Sequence, residues 1–176
     1  MLTQSHVYIA KAINKKSGKD FNHNYFYLGN IAPDFIHFHQ KKKHEFKYSF
    51  LYILDEIDSL EKITDINLVS YKMGIITHYL ADFFCKAHNC DRLLNNLWQH
   101  FQYESLLHRL LISTKNEVQV NKKISNIETF LKEKYESYLI QEPSMAVDII
   151  YSLEACQGSV NYILQNMNKD LLKQIA

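Results

Sequence analysis

Residues 65–88 read DINLVSYKMGIITHYLADFFCKAH, and the spacing of their apolar side chains decides the fold class. Leu68, Met73, Ile76, Leu80 and Phe83 recur at the three-to-four-residue interval of one helical face, which predicts a long central helix from Asp65 to about His88. The same interval appears on both sides of this stretch. Residues 46–60 carry Phe50, Leu51, Leu54, Ile57 and Leu60, and residues 3–15 carry Val7, Ala10 and Ile13, with Thr3 or Ser5 as a cap and Lys16-Ser17-Gly18 as a stop. Between them, Asn22 to Gly29 reads as a brief helical turn. Gly29-Asn30-Ile31-Ala32-Pro33-Asp34 is then expected to be an ordered loop, because proline disfavours α geometry at the residue before it. Downstream, residues 91–112, 117–140 and 143–166 read as three further helices, with Pro143 at a helix start and Gly158 an interruption inside the last. Strand alternation, internal repeats and low-complexity linkers are absent from the pattern. The fold class is all-α, and the expected organisation is one multi-helix bundle domain spanning residues 1–176.

Composition narrows the function classes. A chain of 176 residues suits one core, and four glycines and two prolines are few of the breakers that an all-β protein needs. Twenty basic and 19 acidic side chains nearly cancel, so no general attraction for polyanions follows, and no stable nucleic-acid partner is expected. Lys41-Lys42-Lys43 reads as a solvated loop. No run approaches the roughly 18 to 20 apolar residues of a membrane span. Three cysteines without zinc-finger spacing, Cys85, Cys90 and Cys156, and no cleavable apolar segment ahead of the first helix point to the cytoplasm. Such cysteines read first as small buried hydrophobes.

The chemistry-bearing residues are histidines and carboxylates. His78 and Asp82 stand four apart on the central helix, so they share a face with Cβ atoms about 5 to 6 Å apart, close enough to share one ion. His100 and Glu104 repeat the spacing on the following helix. Either pair alone reads as a hydrogen-bonded helical pair. Two such pairs on consecutive helices, set among apolar residues, need partners to offset desolvation, and a metal ion is an economical one. His88, six beyond Asp82, is expected near the helix end and pointing to a neighbouring site. Asp34 taken alone reads as a cap or turn residue, and Tyr79, Phe83, Phe101 and Tyr103 read as core more readily than as pocket walls.

His6 in SHVYIA, GNIAPD ending at Asp34, a following histidine, GIITHYLADFFCKAH and HFQYE together resemble the bacterial zinc-dependent phospholipase C family, which is related to fungal single-strand-specific nucleases. The resemblance runs from about residue 5 to residue 104. It implies two or three zinc ions held among packed helices. Asp34, a loop histidine, His78 and Asp82 would hold the first, and His88, His100 and Glu104 the second. The loop histidine is open among His37, His39 and His44, with His44 favoured because it lies far enough along the chain to fold back toward Asp34. In that family a third ion takes the bridging carboxylate, here Asp82, an early histidine, here His6, and the amino group of an N-terminal tryptophan. This chain begins Met1-Leu2-Thr3-Gln4, so the third site depends on whether Met1 substitutes. His23 and His108 match no role.

The activity implied is hydrolysis of a phospholipid or related phosphodiester by clustered zinc, with Asp34 as the expected catalytic base. Two alternatives stand beside it. One is a non-catalytic protein in which zinc only staples helices, and the other is a nuclease-type phosphodiesterase. The near-neutral charge and the single tryptophan, Trp98, weigh against the second.

Overall fold

The computed structural model describes residues 1–17, 21–36, 43–114 and 123–167, and among them every regular element is helical. In chain order these are α1 (Thr3–Ser17), α2 (His23–Phe35), α3 (Phe46–Ser59) with a following 3-10 turn (Leu60–Lys62), α4 (Ile66–Phe83), and the short α5 (Lys86–Asn89) and α6 (Asp91–Leu94). Then come α7 (Leu97–Ser113), α8 (Ile127–Leu139) and α9 (Met145–Asn166). The hydrophobic core draws on α1 through Ile9 and Ile13, on α2 through Phe26, on α3 through Ile53, and on α7 and α8 through Leu107 and Leu131. From α4 it takes Val69, Met73, Ile76, Leu80 and Phe83, so this helix is central, as its periodicity requires.

Asn caps recur because a short side-chain carbonyl can accept from the free N–H groups of the first turn. Asn22 caps α2, Asn96 caps α7 and Asn126 caps α8, while Asp65 does the same for α4 and Ser144 for α9. Pro143 therefore sits just ahead of a cap instead of inside the helix. At the start of α1 neither expected cap serves. The Leu2 carbonyl accepts from Ser5 and His6, and the hydroxyls of Thr3 and Ser5 turn to Asp34 and His108. The α1 stripe also differs, since Ile9 joins Ala10 and Ile13 in the core and Val7 is only half-buried.

The expected loop at 29–34 is helix. Pro33 falls in the last turn of α2, where its missing N–H removes one hydrogen bond and the helix ends two residues later. Packing offsets that loss. The α2 and α4 backbones touch at Gly29 and Gly74: a Cβ on Gly29 would lie 1.9 Å from the Tyr71 carbonyl oxygen, and one on Gly74 2.2 Å from that of Phe26. Backbone cannot yield as a side chain does, so Gly74→Ala should destabilise the fold by at least about 2 kcal/mol despite alanine's better helix propensity, read as a lower urea midpoint.

The central helix also stops sooner than expected. Phe84 leaves it at φ −104°, ψ 24°, and the Asn89 side chain donates to the carbonyls of Phe83 and Cys85 at 2.8 and 2.9 Å, satisfying groups that another helical turn would have bonded. Residues 91–112 likewise divide, into α6 and α7, at Asn95-Asn96. Of the helix expected over 117–140, the described part begins at Ile127. A clustered set of breaks on the downstream side of α4 thus redirects His88.

Candidate metal centre

His78 and Asp82 are fully buried on the inner face of α4, and their side chains are held from outside the helix. The His78 Nδ1–H donates to the Asn30 carbonyl at 2.8 Å. A carbonyl only accepts, so the proton is on Nδ1 and the Nε2 lone pair faces inward. Burial, with His6 beside it, holds the His78 pKa well below the usual histidine range, which keeps the ring neutral. Around Nε2 stand Asp82 Oδ2 at 3.4 Å, His44 Nδ1 at 3.4 Å and Asp34 Oδ1 at 3.6 Å.

Asp82 turns its two oxygens to different company. Oδ2 meets His44 Nδ1 at 2.8 Å as well as His78. Oδ1 meets His6 Nε2 and His88 Nε2, each at 3.3 Å, and the Met1 amino group. Burial alone would raise the Asp82 pKa, but His88, the amino terminus, His6 and the His44 hydrogen bond hold it well below the usual carboxylate range. The early end of α4 swings α5 round, and His88 Nε2, beside the Asp82 oxygen turned away from His44 and His78, lies 3.2 Å from Glu104 Oε1 too. Glu104 Oε1 completes that side with His100 Nε2 and the Met1 nitrogen, both at 3.0 Å. Its pKa is also pulled down against burial, by the amino group and by His100 and His88.

The structure therefore brings together Asp34, His44, His78, Asp82, His6, His88, His100 and Glu104. Among the described residues, three sets each have their donor atoms within 4.8 Å of one another: His6, His78 and Asp82; Asp34, His44 and His78; Cys85, His88 and Glu104. Cys85 is a fully buried thiol whose pKa burial pushes far up, which disfavours the thiolate a metal would need. His37 and His39 lie outside the described residues. His108 pairs with Ser5, and His23 packs edge-on against Phe21, so neither joins the cluster.

A family model described as zinc-dependent phospholipase C matches residues 5–145. The chain belongs to this family. No curated protein and no solved structure matches it. Family membership and the clustered donors together support a zinc phosphoesterase. Two observations show that the residues suit the zinc the family name requires. His6 is fully buried, stacked on His78 at 3.7 Å between ring centroids, yet among the described residues neither of its ring nitrogens has a hydrogen-bond partner. Its 3.3 Å approach to Asp82 is therefore proximity without hydrogen-bond alignment, as when both atoms face a common point between them. The Met1 ammonium is itself a stand-in cation among Asp82, Glu104 and His88, the last at 2.8 Å. Burial lowers its pKa, and the two carboxylates more than reverse this, raising it to about 12. That donor set takes positive charge.

One residue behind the zinc phospholipase-type cluster carries no signal in the sequence. Asp148, buried in the first turn of α9, accepts from the Lys86 backbone N–H at 2.8 Å and from the hydroxyls of Tyr103 at 2.8 Å and Tyr138 at 2.9 Å. It ties down both the turn that carries His88 and the helix that carries Glu104. In the sequence it reads as one more acid at a helix start, and it falls beyond the residues the family model matches. Asp148→Ala should lower zinc affinity roughly 10- to 100-fold, as loss of an outer support does. Asp148→Asn should restore most of it, because its carbonyl can face Lys86 and Tyr103 while Tyr138 turns to accept from the amide; zinc titration of both variants makes the comparison.

Proposed function

We propose that this chain is a zinc-dependent phosphodiesterase that hydrolyses the headgroup phosphodiester of a phospholipid, with Asp34, His44, His78 and Asp82 holding one zinc ion and His88, His100 and Glu104 a second. The observation that carries the reading is the division of Asp82, one oxygen toward His44 and His78 and the other toward His6, His88 and the Met1 nitrogen. A carboxylate placed so can bridge two cations. His6, Asp82 and the Met1 nitrogen make the set for a third ion, with Met1 in place of the family's tryptophan.

Bound zinc would supply acidification of water and neutralisation of the charge gathering on a phosphoryl group. The chain's own residues do the rest. His78, fixed through Asn30, and Asp82 orient the buried floor. Asp34 lies at the open side, about a quarter exposed, with Oδ2 accepting from the Thr3 hydroxyl. Its place at the open side of the set makes Asp34 the general base for an attacking water. His44, His88 and His100 are also partly exposed, between 13% and 21%. A purely structural zinc site is closed, so this shared exposure favours catalysis over helix stapling.

The test is elemental analysis of the purified full chain alongside turnover on phosphatidylcholine, a soluble phosphodiester and single-stranded DNA. At least two zinc ions and preferential release of the lipid headgroup are expected. Zinc-loaded protein without turnover on any of the three would contradict the reading.

A further inference from the structure

The helix that brings His100 and Glu104 to the cluster opens, in the turn that also holds His100, with a concentration of exposed apolar side chains. Leu97 is 84% exposed, Trp98 70% and Phe101 60%. Leu97, Phe101 and Glu104 follow the i, i+4, i+7 spacing of one stripe, so exposure falls along a single line from solvent to the buried carboxylate. Three large apolar side chains on one turn form a patch of the kind that marks an interaction site, not scattered surface hydrophobes.

Beside the patch runs a groove of about 380 Å³, lined by Lys86, Arg92, Trp98, Gln99, Tyr103 and Leu106 among others, whose charged groups are two cations and no carboxylate. It lies on the side of α7 turned away from His100 and Glu104, with Trp98 at its edge. Apolar and aromatic tips next to paired cations are what the boundary between lipid headgroups and acyl chains accepts: indole and phenyl rings enter, while Lys and Arg stay with the phosphates. A partner protein offers no equal reason for the cations or for continuity with the cluster.

We propose that the first turn of α7 is a membrane-docking surface, with Leu97, Trp98 and Phe101 entering a phospholipid bilayer and Lys86 and Arg92 meeting its phosphates. This rests on the phospholipid reading given above and deepens it. Docking there sets the exposed end of the stripe in the lipid, with His100 on the inner side of the same turn and Glu104 about one turn beyond Phe101. A headgroup then reaches the cluster without its lipid leaving the leaflet.

Trp98 is the single tryptophan, so its emission reports the docking turn directly. The zinc-loaded full chain would be mixed with vesicles of phosphatidylcholine containing phosphatidylglycerol, and emission, iodide quenching and headgroup release followed. The expected result is a blue shift with protection from iodide. The double variant Leu97→Ser with Phe101→Ser should lose vesicle partition and vesicle turnover by at least about tenfold, since two apolar side chains no longer leave water, while turnover on monomeric dihexanoylphosphatidylcholine stays within about twofold. Unchanged emission with vesicles, or equal partition of the double variant, would overturn the proposal. So would a blue shift without lipid that accompanies a doubled mass in sedimentation, because a second copy would then cover the surface. The two readings fail separately. Vesicle binding that depends on Leu97 and Phe101 without any hydrolysis keeps the docking surface and removes the phosphodiesterase, and hydrolysis of the monomer with Trp98 still in water does the reverse.

Discussion

Asp82→Asn is expected to cost the protein at least one of its zinc ions and to lower phosphodiester turnover on the order of 10³-fold, the equivalent of several kcal/mol of lost charge stabilisation. The substitution preserves shape and changes chemistry. An amide keeps one acceptor oxygen and replaces the other with a donor, so either the side toward His44 and His78 or the side toward His6, His88 and Met1 loses its anion. Asp82 is fully buried, and removing its charge also leaves nearby positive charge uncompensated. Breaking a buried charge pair from one side costs several kcal/mol, so the metal-free variant should also unfold at lower urea. Elemental analysis and turnover read the two parts of the effect. Full retention of zinc would remove the bridging role.

Asp34→Asn is expected to act differently. Its oxygens face His78 and Thr3 at the partly open side, and the buried floor does not depend on it. Turnover should fall about 10²- to 10⁴-fold, the range of a lost general base, with the fall mainly in kcat. Zinc in the His88, His100 and Glu104 set should remain. A variant that keeps kcat while losing zinc would make Asp34 a ligand and nothing more.

These two carboxylates show what the sequence can and cannot convey. His78 with Asp82 and His100 with Glu104 are legible because the helical repeat converts a spacing of four into a shared face, whatever the tertiary structure. Position 34 was legible only by resemblance, since local rules read Pro33-Asp34 as a loop; what overrode them was the backbone contact of Gly29 with Gly74, two residues whose distance in sequence hides their contact. The early end of the central helix is hidden for a similar reason. The central helix ends at Phe83 because Asn89 takes its carbonyls and Asp148, from the last helix, holds the next turn. Periodicity carries no trace of either. Asp148 itself was invisible, because an acid in a first helical turn is already explained by the helix dipole. Phe101 reads as core from the sequence, and its exposure beside Leu97 and Trp98 is a tertiary fact that helical spacing does not carry.

The central claim is that side chains from α1, α2, α4, α5 and α7, with His44 ahead of α3, enclose a cluster of zinc ions about Asp82. Anomalous diffraction at the zinc edge, from crystals of the full chain grown with zinc, tests it most directly. The account predicts at least two peaks, one among Asp34, His44 and His78 and one among His88, His100 and Glu104, with Asp82 between them. A zinc-saturated crystal with no peak near Asp82, or with only surface peaks, would contradict it.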